Sequence, residues 1–424
     1  MNDWETVRID QVGKIVTGST PSPAIVQYWN GEVPFITPTD INESVYVYST
    51  ERRLTKLGTS FSRLIPANSV MVVCIGSTIG KTACPLVESV TNQQINTVIP
   101  CDLTNPRFLY YTLLRLADSI KQIAGVTAIP IINKTAFSLI EFKLPPLPQQ
   151  RKIAKILTTV DNLIEKTEAL IAKYQSIKQG MMHDLFTRGV DSNGKLRPTQ
   201  SESPELYKQS ELGWIPKEWE VDRIQNVLER IIDYRGKTPI KSDSGIPLIT
   251  AKNVRLGFID NKPAEFIAEQ SFQSWMTRGI PVKGDVLFTT EAPLGNVAQI
   301  ATDGRLAFAQ RIIILQANNR IHNAFLKFLL MTDSPQRLIR TKGTGSTVEG
   351  IKQSVFRLLP IAFPKRIQEQ NAIVMRLDSL SHLSEIEQES LRKFSLAKTS
   401  LMQDLLTGKV QVTPDAEDKE LAHA

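Results

Sequence analysis

The chain is poor in the residues that build metal, redox and nucleophilic centres. Its 424 residues hold four histidines, His183, His322, His382 and His423, and three cysteines, Cys74, Cys84 and Cys101. The histidines are scattered and the cysteines lack zinc-ligand spacing, so neither a metal site nor a disulfide framework is expected, and a reducing cytoplasm suits the thiols. No run of 18 apolar residues occurs, which excludes a spanning helix. The opening MNDWETVRIDQ is polar and acidic where a signal peptide is basic and then apolar. The sequence also lacks a glycine-rich loop for S-adenosylmethionine and an Asn/Asp-Pro-Pro-Tyr/Phe set that grips a flipped base. A non-catalytic chain is expected.

What the sequence does contain is itself, twice. Lys178 to Val190, KQGMMHDLFTRGV, returns 220 residues later as KTSLMQDLLTGKV, Lys398 to Val410. WETVRI from Trp4 recurs as WEVDRI from Trp219, and VPFITPTDI from Val33 as IPLITAKNV from Ile246. The offset drifts between 213 and 220 in the globular parts but holds at 220 from Gln150/Gln370 to Val190/Val410. An ungapped register is what a long helix demands. A period above 200 residues is no solenoid, whose units run at about 20 to 50.

Ile153, Ile156, Val160, Leu163, Thr167, Leu170, Tyr174, Ile177 and Met181 follow at alternating steps of three and four, a heptad seam with one polar break. Leu157, Ile164 and Ile171 add a second apolar row. A helix from about Pro148 to Leu185 would be roughly 55–60 Å long. Its repeat, Arg366 to Leu406, has a weaker stripe, with Glu387 and Ser390 where the first helix has Thr167 and Leu170. Pro145, Pro146 and Pro148, and Pro364 in the repeat, end the preceding strands and open these helices. Pairing them antiparallel would relate the halves by a pseudo-twofold axis. Asp191 to Leu212 is polar and turn-rich and reads as a linker.

Gly76 to Thr82, GSTIGKT, comes close to a phosphate-binding loop but has three residues between its glycines where that pattern needs four. Pro85 interrupts the helix that should follow, and the repeat, Glu291 to Asn296, lacks the lysine. A duplicated nucleotide-binding enzyme using this loop is the rival reading. Pro414-Asp415 and Glu417 to Lys419 mimic nuclease carboxylates, but lie side by side in an acidic tail, where a metal-dependent cut needs groups converging from separate strands.

Net charge is +7, and it is unevenly placed: residues 1–146 carry 12 basic and 11 acidic side chains, residues 216–365 carry 21 and 14. A basic surface is the footprint of nucleic-acid binding. The loops that differ between the copies are the candidate contacts. Thr17, Ser19 and Thr20 answer Arg235 and Lys237; Gln93 and Gln94 answer Gln310 and Arg311; and the Gly125 loop answers the one with Lys342, Thr344 and Ser346. Lys81 in the first copy and Lys252, Asn253 and Arg255 in the second complete the set. Gln and Asn bond adenine bidentately, Arg bonds guanine, and hydroxyls, amides and lysines hold phosphates.

LPPLPQQRKIA from Leu144 at the first helix start, and GWIPKEWE from Gly213 opening the second copy, make the chain resemble the specificity subunits of Type I restriction-modification enzymes. Lys365-Arg366-Ile367 departs from the pattern at the second helix start. The resemblance implies an α+β fold: two mixed α/β target recognition domains, residues 1–146 and 216–365, each followed by a long helix, residues 147–190 and 366–412. The helices would pair as an antiparallel coiled coil, with residues 191–215 as linker and 413–424 as a disordered acidic tail. It further implies double-stranded DNA as ligand, read at an asymmetric bipartite site, and two methyltransferase subunits and restriction subunits as partners. S-adenosylmethionine, ATP and magnesium would then belong to those partners and not to this chain.

Overall fold

The computed structural model describes residues 4–125, 130–234, 238–345 and 349–415. The chain divides into two compact units, residues 1–169 with 388–424, and residues 170–387.

In the first unit, strand β1 (Glu5–Arg8) leads into β2 (Gly13–Thr17), and β3 (Trp29–Ile36) follows. Then come β4 (Val70–Val73), β5 (Thr82–Pro85), β6 (Ser89–Thr91) and β7 (Ile95–Pro100). Helix α1 (Pro106–Arg115), β8 (Glu141–Leu144) and the start of α2 (Leu147–Thr187) follow, and the C-terminal segment from residue 388 completes the unit. β2, β7, β4 and β5 form an antiparallel sheet in that order. β3 and β6 run parallel in a second sheet, pairing Phe35 with Val90 and Ile36 with Thr91. The strands buried on both faces read as continuous apolar runs such as Val70–Val73, all at 0 % exposure. Trp4, Phe108, Tyr110, Tyr111, Ile153 and Leu157 anchor the core between sheet and helices.

The second unit repeats this plan. β9 (Trp219–Arg223), β10 (Leu228–Asp233), β11 (Ile246–Ile249), β12 (Val286–Thr289), β13 (Val297–Gln299), β14 (Ala307–Phe308) and β15 (Ile312–Ala317) precede α3 (Asn323–Met331), β16 (Pro360–Pro364) and α4 (Ile367–Leu406). β10, β15, β12 and β13 form the antiparallel sheet, and β11 runs parallel to β14. The pairing of β9 with β16 repeats that of β1 with β8.

The helix starts show why the repeat is so well kept there. Gln150 is 1 % exposed: its Oε1 accepts from Asn105 N (2.8 Å) and its Nε2 donates to Leu103 O and Pro145 O. Gln370, 0 % exposed, does the same with His322 N, Arg320 O and Pro364 O. Each glutamine satisfies three backbone groups that burial would otherwise leave unpaired, a loss of about 1–3 kcal/mol apiece. One residue earlier, Trp4 Nε1 donates to Gln149 Oε1, and Trp219 Nε1 to Glu369 Oε1, both at 2.9 Å.

α2 has 41 residues and α4 has 40, about 60 Å each. In the first unit the end of α4, with Leu401, Leu405 and Leu406, packs against Ile153 and Leu157 near the start of α2. In the second, Ile373, Val374 and Leu377 at the start of α4 share a core with Met181, Met182 and Leu185. Both pairings are antiparallel. The seam is corrected in one respect: the inward row, buried or half-buried throughout, is Ile153, Leu157, Val160, Ile164, Thr167, Ile171, Tyr174, Lys178, Met181 and Leu185, and the same positions plus 220 are buried or half-buried in α4. Leu163 and Ile177, expected in the seam, are 41 % and 40 % exposed. The row that loses has Arg376, Ser390 and Asp404 at its positions in α4, whereas the row that wins has Leu377, Leu391 and Leu405. The repeated lysine of the winning row, Lys398, pairs with Asp161 at 2.7 Å, and that carboxylate also accepts from Tyr111 Oη at 2.6 Å.

Two other expectations change. The segment read as a linker is folded: Tyr207–Ser210 and Gly213–Pro216 form a hairpin, and Arg197 is 6 % exposed, paired with Glu369 and Glu218. The tail is ordered further than expected, since Asp415 bridges Lys152 and Lys155; those two ammonium groups hold its carboxyl at about 2.

Candidate nucleic-acid interface

In each unit the carboxyl ends of the two parallel strands release adjacent loops. Asn92 N donates to Ile36 O (3.0 Å) in the first unit, and Ala309 N to Ile249 O (3.0 Å) in the second. The turn after β3 is locked by Asp40, whose Oδ2 accepts from Thr37 N and Oγ1; after β11, Asn253 Oδ1 accepts the same two bonds from Thr250. Asn253 also donates to Asp260 O and Pro263 O and is 2 % exposed, so its polar atoms are spent on its own turn. It holds the loop that displays Lys252 and Arg255, both exposed. Arg255 lies 3.4 Å from Asp260, an exposed pair of little energetic weight.

The first unit gathers Thr17, Ser19, Thr20, Gln93 and Gln94 into one polar cluster. Thr17 Oγ1 donates to Asn96 Oδ1 (2.7 Å), Thr20 Oγ1 to Gln93 Oε1 (2.6 Å), and Asn92 Nδ2 to Gln94 Oε1 (2.9 Å). Arg63, which no sequence signal singled out, joins it: its N donates to Ser19 Oγ and its Nη1 to Thr17 O (2.7 Å). Asn92 and Asn96 were also missed, although they flank the Gln93-Gln94 pair in NQQIN. Lys81 lies apart from the hydroxyls, donating to Ile41 O at 2.9 Å.

The near-phosphate loop is the turn between antiparallel strands β4 and β5, where Gly76 and Gly80 have φ of +94° and +89°. Gly80 also packs its α-carbon against Ala117, leaving no room for a side chain. A strand, a loop and then a strand cannot present a helix N-terminus to phosphate, and the nucleotide-binding reading fails on that topology. Among the described residues no three His, Cys, Asp or Glu side chains form a metal cluster, and no helix is long and apolar enough to cross a membrane. Burial pushes the Cys74 thiol, beneath this turn, up to about 11.

In the second unit Arg311 and Thr344 converge on one strand end. Thr290 N donates to Arg311 O, Ile351 N to Thr290 O, and Thr344 and Gly350 exchange backbone bonds beside Glu291. Arg311 Nε lies 2.9 Å from Glu291 Oε1. Gln310 is half-buried next to it and Lys342 exposed at the end of the preceding helix. Arg235, Lys237 and Ser346 lie outside the described residues.

The whole architecture has counterparts. The S subunit of a Type I restriction-modification system from M. genitalium superposes with a TM-score of 0.62 at 15 % identity, over 97 % of both chains. A chain of a type I R-M system superposes at 0.53, with 15 % identity, over 96 % of this chain and 98 % of that one. In sequence, the MjaVIII specificity subunit of Methanocaldococcus jannaschii is 26 % identical over 419 residues, 97 % of this chain and 93 % of the relative. The HindI specificity subunit of Haemophilus influenzae is 34 % identical over 172 residues, 38 % of this chain and 37 % of its own. Two stretches, residues 1–174 and 216–393, match the Type I restriction modification DNA specificity domain. The chain belongs to that family and carries its domain twice, once in each half of the internal repeat.

Proposed function

We propose that this chain is the DNA-reading, non-catalytic specificity subunit of a Type I restriction-modification complex, each unit recognising one half of an asymmetric bipartite site. The observation that carries this reading is the duplicated scaffold with unlike loops: beside Thr17, Ser19 and Gln93 the first unit presents Gln94 at the strand end where the second presents Arg311, with Thr344 beside it and Lys342 at the end of the preceding helix. Identical scaffolds with different polar edges read different sequences. Methylome sequencing of cells expressing the chain with its methyltransferase subunits should return two unlike half-sites separated by a fixed non-specific gap. A palindromic or continuous motif would sink the proposal.

Two methyltransferase subunits are the proposed occupants of the helix faces, with restriction subunits joining through them; S-adenosylmethionine, ATP and magnesium would enter with these partners. The first unit leaves Leu163 and Leu396 exposed on its helix pair, and the second leaves Ile177, Leu383 and Ile386. These apolar side chains lie outside the buried row, where a partner can cover them.

The second unit's larger positive excess predicts where electrostatics dominate. Each phosphate contact contributes about 0.9 to the slope of log affinity against log salt. Lys252→Gln and Lys342→Gln are each expected to weaken binding of the assembled complex for all sequences alike and to flatten that slope by about one. An unchanged slope would remove that lysine from the phosphate surface.

A further inference from the structure

We propose that Gln94 and Arg311 are equivalent reading arms, one in each unit, and that they select an A·T pair in one half-site and a G·C pair in the other. The inference rests on the DNA-reading function above and names the chemistry of one base pair per half-site. The equivalence is structural and does not depend on the alignment of the repeats. Gln94 immediately precedes β7, and Cys74 N donates to its carbonyl at 2.8 Å; Arg311 immediately precedes β15, and Thr290 N donates to its carbonyl at 2.9 Å. Cys74 directly follows β4 and Thr290 directly follows β12. On the far side, Ile132 N donates to Cys74 O and Ile351 N to Thr290 O, both at 2.9 Å. The two side chains therefore leave the same point of the same sheet, next to the same returning loop.

Each arm is oriented by a neighbour that leaves its reading groups available. Gln94 Oε1 accepts from Asn92 Nδ2 at 2.9 Å, which fixes the carboxamide and leaves a second oxygen lone pair and the Nε2 hydrogens. That is the acceptor–donor couple that matches adenine N6 and N7. Arg311 is held through Nε to Glu291 Oε1, leaving its two terminal nitrogens for guanine O6 and N7. The Arg311 backbone sits at φ +76° and that of Ala292, next to Glu291, at φ +49°. A non-glycine residue in the left-handed region costs about 1–3 kcal/mol, and such strain persists where the surroundings hold a side chain in a required place. Arg311 and Glu291 are both about half exposed, 48 % and 42 %, so the pair faces solvent and is not a core ion pair. The first unit has no carboxylate at the matching strand end, where Ile75 and Gly76 follow Cys74.

The test is an exchange of the two arms in the full chain, assembled with its methyltransferase subunits and read as the methylated motif. Arg311→Gln should change one base pair of one half-site from G·C towards A·T, lowering the original preference by about ten- to a hundredfold, with the other half-site and the gap unchanged. Gln94→Arg should do the converse in the other half-site. Glu291 is a positioning residue: E291A should loosen only the base pair that Arg311 reads, and E291Q, which keeps the acceptor oxygen, should restore it. An exchange variant that methylates nothing is read by binding of the assembled complex to duplexes that differ at that pair, with thermal melting as the check on folding. Motifs or binding preferences unchanged in both exchange variants, or changed in the wrong half-site, would overturn the proposal. A wild-type complex without any sequence preference would overturn the DNA-reading function instead.

Discussion

Replacing Glu369 by alanine is expected to destabilise the second unit by about 3–5 kcal/mol, among the largest effects open to a single substitution in this chain. The carboxylate is buried and accepts from Arg197 (Nη1 and Nη2), Trp219 Nε1 and Val190 N. Removing it leaves the Arg197 guanidinium, itself 6 % exposed, with the solvent-facing Glu218 as its one remaining carboxylate and the Arg188 carbonyl as a neutral acceptor. For a unit of this size, such a loss corresponds to a fall in midpoint of about 6–20 °C. Truncating one partner of a buried pair costs far more than exchanging both. The first unit supplies the control, because Gln149 receives the Trp4 indole there without any ionic pair. Glu369→Gln alone should keep the Trp219 bond yet remain destabilised by the unmatched arginine, while Arg197→Met with Glu369→Gln should recover most of the midpoint. A melt of Glu369→Ala superimposable on wild type would show that the ion pair contributes nothing to folding.

That cluster also marks where sequence reading stops. The duplication, the two helices and the proline-marked helix starts were legible because they are written in local pattern and ungapped repetition. Arg197 was not, since a polar, turn-rich stretch carries no sign that one of its arginines will be buried against a residue 172 positions away. The helix seam failed for a different reason. In α2 Ile156, Leu163 and Leu170 in one row and Leu157, Ile164 and Ile171 in the other are all apolar, and periodicity alone cannot rank them. The repeat could have ranked them: Arg376, Ser390 and Asp404 stand in one row of α4 and Leu377, Leu391 and Leu405 in the other. At the candidate interface the repeat pairing of Gln94 with Arg311 holds in space. Arg63 escaped because it arrives from a loop, just ahead of the short strand Leu64–Ile65, with no counterpart spacing. Asn253 was misjudged because an exposed base reader and a buried turn lock have the same residue type; its match to Asp40, the eighth residue of the same repeated segment, was the available clue.

Matched insertions of four residues in both helices, near Thr167 to Leu170 in α2 and near Glu387 to Ser390 in α4, are expected to lengthen the gap between the two half-sites and leave both half-sequences unchanged. Four residues add about 6 Å of helix and advance its phase by about 40°, a small enough rotation for the buried rows to continue across the insertion. At about 3.4 Å per base pair, 6 Å corresponds to one or two base pairs. Two inserted residues behave oppositely, because a rotation of about 200° turns the downstream part of the α2 row, Ile171 and Lys178, away from the face that Leu157 and Ile164 keep upstream. That variant should lose assembly and methylation together. The methylated motif of each variant is the measurement, taken beside a melt to establish folding. A four-residue variant that still methylates with its original gap would show that the helices do not set the distance, and the spacing would then have to come from the methyltransferase subunits.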